Sequence, residues 1–218
     1  MICFVTVTVF WVFSVCLHEF GHAITAFYGG DTSVREKGYL TLNPLRYTHP
    51  VYSLLMPVVF LLLGGIGLPG GAVYINDHLL RSRLWKTGVS LAGPLMNLVF
   101  AVALWVPLAT GLVDPAPGNV AAYSLAFLIQ LQFSAILLCL LPIPPLDGFQ
   151  AIAPWLPDSL RDQLMAQSNV FLFGLFLVLW YVEGVNRFFW TTVFGISSWL
   201  GIDPALGIQG WHQYQFWR

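Results

Sequence analysis

The stretch Cys16-Leu17-His18-Glu19-Phe20-Gly21-His22-Ala23 constrains this chain more than any other. It is a His-Glu-x-x-His pattern set in an apolar run from Ile2 to about Phe27. At 1.5 Å per residue, that run is long enough to cross the hydrocarbon core of a bilayer as one helix. His18 and His22, four residues apart, share a helix face. Two imidazoles so placed can hold one zinc ion, with Glu19 beside them as a general base. Ionisable groups inside membrane-length helices are costly, which makes them functional candidates. The plainer alternative is a packed helix–helix contact in which these three side chains bond to one another.

The rest of the composition agrees with a membrane setting. Of 218 residues, 57% are hydrophobic and 9% are charged, against about 25% charged in a soluble domain. The chain therefore reads as an all-α polytopic membrane protein whose surroundings are a lipid bilayer. A net charge of −1 gives no footing for nucleic acid. Cys3, Cys16 and Cys139 are odd in number and form no Cys-x-x-Cys pair, so no disulfide framework is expected. A cleaved leader would discard the histidine motif, so the first apolar run is expected to stay as a helix. No polar stretch is long enough for a soluble accessory domain.

Taken in order, about five to six membrane segments are expected. Ile2 to Phe27 is the first, closed by Gly29-Gly30-Asp31. Thr87 to about Val113 and Asn119–Leu141 are the clear later spans. Asn169–Val182 and Phe188–Ile202 are also apolar, the second as a short span or an interfacial helix. Alternating residues predict short surface β-strands around Leu40–Leu42 and Ala72–Ile75. Six of the nine Lys and Arg residues lie between residues 29 and 86. That places this region in the cytoplasm, the N-terminus outside, and the His pair toward the cytoplasmic face.

Catalytic zinc usually keeps three protein ligands and an open position. His49, His78 and His212 lie in polar loops or the tail and read as exposed. Asp147 is the better third partner. It follows Pro142, Pro144 and Pro145, which stop a membrane helix and stiffen the turn. Depth supports it only if Val51–Leu68 fails to cross. The chain then enters at 87, returns by 141, and brings Asp147 to the leaflet of His22. Both loops flanking 51–68 are basic, so this segment is expected to be re-entrant, broken near Pro57 or Gly64-Gly65.

With these residues in place, the chain resembles the site-2 protease family of intramembrane zinc metalloproteases, and most of all its compact bacterial and archaeal members. The matching pieces are His18-Glu19-Phe20-Gly21-His22, Gly29-Gly30-Asp31, Leu40-Thr41-Leu42-Asn43-Pro44, Ala92-Gly93-Pro94-Leu95-Met96-Asn97 and Leu140-Leu141-Pro142-Ile143-Pro144-Pro145-Leu146-Asp147-Gly148. They occur in family order over roughly residues 10–150. The resemblance implies a three-helix catalytic core within residues 1–150, followed by C-terminal membrane segments and an interfacial tail over residues 151–218. It assigns one zinc to His18, His22 and Asp147, and catalysis to Glu19. It makes Asn97 a candidate for binding substrate or a metal ligand, with helix–helix adhesion as the alternative. It also implies a prokaryotic cell membrane as the location.

Two positions depart from the family pattern. Cys139 stands where relatives usually carry Asn, and reads as a small buried apolar residue. Tyr47 and His49 stand where relatives tend to have His and then Asp. The expected activity is hydrolysis of peptide bonds within or near transmembrane helices of other proteins. A membrane metal carrier, or an inactive protease-like binding protein, are the alternatives.

Overall fold

The computed structural model of the chain describes residues 1–43 and 73–217. The expected re-entrant segment at Val51–Leu68 lies outside the described residues, as do Tyr47 and His49.

Helix α1, Ile2–Gly29, carries the histidine motif in its C-terminal half. It contains no proline, and Glu19 is its only Asp, Glu, Lys or Arg. It ends at Gly30, whose φ of 121° suits only glycine. Asp31 then turns the chain. Its fully buried carboxylate accepts from the backbone N–H and hydroxyl of Ser33, at 3.0 and 2.6 Å, and from Asn76 N–H at 2.7 Å. One carboxylate thus ties the end of α1 both to the short helix α2, Ser33–Glu36, and to the stretch before the next long helix.

Helix α3, Arg83–Ala109, starts where the Ser82 hydroxyl accepts from Trp85 N–H. Helix α4, Val120–Cys139, starts where the Asn119 side chain accepts from Ala121 and Ala122. Both are ordinary N-caps. These two helices and α1 pack on one another as a three-helix core. On α3, Val89, Gly93, Asn97, Ala101 and Leu104 face inward, while Leu91, Leu95, Leu98, Val102 and Val106 are exposed. An outward stripe of large aliphatic side chains over a polar-dotted interior is the reverse of a soluble helix.

The chain continues through α5 (Asp147–Ile152), a 3-10 turn (Ala153–Trp155), α6 (Asp158–Ala166), α7 (Ser168–Tyr181), α8 (Glu183–Trp199) and α9 (Pro204–Tyr214). Helix α9 folds back on α4, and Tyr214 joins the apolar core formed by Trp11, Phe100, Leu104, Leu128 and Leu131.

Among the described residues, three helices are long and apolar enough to cross a membrane: α1, α3 and α4. The number becomes four if α6 and α7, which meet at 61°, count as one broken span. Among the described residues the expected five to six segments are therefore not all seen, Val51–Leu68 lying outside them. Helices α7 and α8 hold 14 and 17 residues, short of the roughly 20 that a straight crossing needs. The expected surface strands are not present among the described residues either: Leu40–Leu42 is a bend, and Val73–Ile75 is irregular. A strand needs its backbone groups for a partner strand. Here the Val73 and Asn76 N–H groups go to the carboxylates of Glu19 and Asp31, and Tyr74 C=O accepts from Lys37 Nζ.

Candidate metal centre

Three elements bring the site together. On α1, the 3.6-residue repeat sets His18 and His22 on the face toward α3, both buried. Across from them, α3 presents Gly93. A Cβ there would lie 2.3 Å from His22 Nε2 and 2.6 Å from His18 Nε2. The missing methyl leaves free the space in front of both ring nitrogens. The third element is the turn after α4. Leu146 N–H donates to Ile143 C=O at 2.8 Å, and the chain reverses through the prolines into α5. Gly148 packs so closely on that turn that a Cβ would fall 2.2 Å from Leu140 O. This tight return aims Asp147 back at α1.

The ligand atoms converge. His18 Nε2 lies 3.0 Å from His22 Nε2 and 3.3 Å from Asp147 Oδ2, and His22 Nε2 lies 3.5 Å from Asp147 Oδ1. All three residues offer a ligand atom within 4.8 Å of one another, the only such group of three or more among the described residues. His22 Nδ1 is 2.7 Å from Val89 C=O. A carbonyl only accepts, so Nδ1 carries the proton and Nε2 presents a bare lone pair. That is the tautomer a metal ligand requires, fixed by a backbone acceptor. Burial works against the Asp147 carboxylate, but the adjacent His22 and His18 rings outweigh it and hold its pKa below the usual carboxylate range.

Two imidazole Nε2 atoms, that of His22 held bare by its tautomer, a carboxylate and an open cradle at Gly93 fit a three-ligand zinc site. Gly93→Ala places a methyl in that cradle. It is expected to weaken zinc binding by at least the roughly 10–100-fold seen when a metal site's surroundings are disturbed. Chelator competition on purified protein measures this.

Glu19 is 4% exposed, stands next to His18, and accepts from Val73 N–H through Oε2 at 3.2 Å. Asn97 is buried on α3, one turn beyond Gly93, and its Oδ1 finds no hydrogen-bond partner among the described residues. His78 and His212 are exposed and stand apart from the group. Two contacts went unread in the sequence. One is the Val73 N–H on Glu19, for which backbone in an irregular stretch leaves no sequence signal. The other is the thiol of fully buried Cys139, which lies close enough to the Asp147 carboxylate to interact with it. Its place eight residues before Asp147, across a proline-stiffened turn, was the available clue.

The chain is 46% identical over 215 residues to "Putative zinc metalloprotease Rip2" of Mycolicibacterium smegmatis, covering 98% of this chain and 81% of the relative. It is 42% identical over 215 residues to the Rip2 protein of Mycobacterium tuberculosis, with the same coverage. It is 32% identical over 176 residues to "Putative zinc metalloprotease YwhC" of Bacillus subtilis, covering 77% of this chain and 76% of the relative. No family model and no solved structure matches the chain. On identities of this size over nearly its whole length, the chain belongs to the site-2 protease-like family of zinc metalloproteases.

Proposed function

We propose that this protein is an intramembrane zinc metalloprotease that hydrolyses peptide bonds within or near transmembrane helices of other proteins. The observation that carries the proposal is the convergence of His18 Nε2, His22 Nε2 and the Asp147 carboxylate beside a buried glutamate. In this reading those three residues hold one zinc and Glu19 is the catalytic residue. A metal carrier would use the same ligands but leave Glu19 without a task.

When bound, zinc lowers the pKa of water toward neutrality and polarises a carbonyl. The chain supplies the rest. His18 and His22 bind through Nε2, the His22 tautomer being set by Val89 C=O. Asp147 supplies the third donor and its negative charge. The Glu19 carboxylate takes a proton from the attacking water and hands it to the leaving amine. Val73 N–H holds Glu19 Oε2 in place, and the burial of His18, Glu19 and His22 on a membrane helix, with Asp147 partly buried beside them, limits the access of bulk water.

The substrate is a membrane helix that unwinds locally to offer its carbonyl. The outward aliphatic stripe of α3 supports contact with lipid. The basic residues between 29 and 86 support a site opening toward the cytoplasm, with the N-terminus outside. Residues 1–150 form the protease core of this proposal, and residues 151–218 buttress it through α9 on α4.

The test is cleavage of a helix-destabilised transmembrane peptide by purified protein, read by mass. Cleavage should stop on removal of metal by a chelator and return with stoichiometric zinc. Cleavage that continues in a chelator would contradict the proposal.

A further inference from the structure

The two metal-facing histidines are not treated alike by the fold. His22 Nδ1 has Val89 C=O, whereas His18 Nδ1 is buried and finds no partner among the described residues. A ligating histidine nearly always passes its other N–H to a second group, which fixes the tautomer and the ring. The surroundings of His18 therefore ought to contain such a group.

Polar side chains occur at the right level. Ser14 stands one turn before His18 on the same face of α1 and is 1% exposed. Its hydroxyl donates to Gln132 Oε1 on α4 at 2.7 Å. Gln132 is fully buried, and its Nε2 has no partner among the described residues. On α3, Asn97 lies one turn beyond the glycine that touches His18, with Oδ1 also buried and without a partner among the described residues. Three helices thus bring two donors, His18 Nδ1–H and Gln132 Nε2–H, and one acceptor, Asn97 Oδ1, none with a partner among the described residues, to within about a helical turn of the His18 level. One water can accept from both donors and donate to the acceptor, and buried waters typically make about three such bonds.

We propose that Gln132 is a positioning residue of the metal centre, holding the His18 ring through a buried water shared with His18 Nδ1 and Asn97 Oδ1. Simple helix adhesion accounts for the Ser14–Gln132 bond but leaves Gln132 Nε2 unexplained. Gln130 supplies the contrast on the same helix. Its Nε2 donates to Pro204 C=O at 3.2 Å, which ties α9 to α4 away from the histidines.

The inference rests on the metal reading of His18, His22 and Asp147, and its test separates the two. Zinc affinity by chelator competition and the visible spectrum of the cobalt-substituted protein are measured for wild type, Gln132→Met, Gln130→Met and Ser14→Ala, with the melting temperature of each apo protein. Gln132→Met should bind zinc roughly 10–100-fold more weakly and shift the cobalt bands. Gln130→Met should leave affinity and bands unchanged, whatever its melting temperature. Ser14→Ala, the milder change, should weaken zinc in the same direction and carries the test if Gln132→Met does not fold. Wild-type zinc affinity and cobalt bands in Gln132→Met, or in Ser14→Ala where only that variant folds, would overturn this inference alone. Equal zinc loss in Gln130→Met and Gln132→Met, in step with melting temperature, would also overturn it. A wild-type protein that binds no zinc would overturn the metal reading and this inference with it.

Discussion

Glu19→Gln is expected to lower peptide-bond cleavage by roughly 10²–10⁴-fold, the contribution of a positioned general base, while zinc content stays at the wild-type level. Glutamine keeps the shape of the side chain and an oxygen to accept from Val73 N–H. It cannot take up a proton. Glu19 also lies outside the group of atoms that converge on the metal position. The fold around it has therefore no reason to change, and neither do the ligands. Parallel measurement of metal content and initial cleavage rate checks this. A variant that loses zinc together with activity would make Glu19 a ligand. A variant that keeps full activity would remove it from the chemistry altogether.

The second large effect is at Asp147. Asp147→Ala removes one of three donors and leaves His18 and His22 facing a gap. Zinc affinity should fall well beyond the roughly 10–100-fold cost of losing an outer partner, and cleavage should disappear at ordinary zinc concentrations. The fold should survive, because the turn that delivers Asp147 is held by the prolines, the Leu146–Ile143 hydrogen bond and the close packing of Gly148 on Leu140. Competition with a chelator of known affinity, beside a melting curve of the apo protein, separates loss of metal from loss of structure. Retention of zinc by Asp147→Ala at wild-type affinity would exclude it as a ligand.

Much of this site is legible in the residues. The spacing of His18 and His22 dictates a shared face on any helix. The proline-rich run before Asp147 dictates a stiff return at a helix end. Gly93 and Asn97 on one stripe of α3 mark a close approach between helices. The long apolar runs yield α1, α3 and α4 because only helices satisfy their own backbone over such lengths.

What was not legible depends on tertiary neighbours. Alternation at Leu40–Leu42 and Ala72–Ile75 suits a strand, but Asp31 and Glu19 accept the N–H groups of Asn76 and Val73. Residues distant in sequence thus displaced the local preference. Cys139 reads as a small apolar residue and is indeed buried, yet its thiol meets the Asp147 carboxylate. Gln132 and Ser14 sit in apolar runs like ordinary polar interruptions, and their pairing across α1 and α4 emerges only when the helices pack. Composition alone makes Asn169–Val182 an apolar run and leaves Phe188–Ile202 as a short span or an interfacial helix. Gln167 and Val182 bound α7, so the two runs form separate helices of 14 and 17 residues.

The most direct test of the central claim is the zinc X-ray absorption spectrum of wild-type protein purified without chelators, with the metal quantified on the same sample. About one zinc per chain, surrounded by two imidazoles and oxygen donors with no sulfur, is the result predicted for His18, His22 and Asp147. Absence of zinc, or a sulfur neighbour that brings Cys139 or Cys16 into the site, would contradict it.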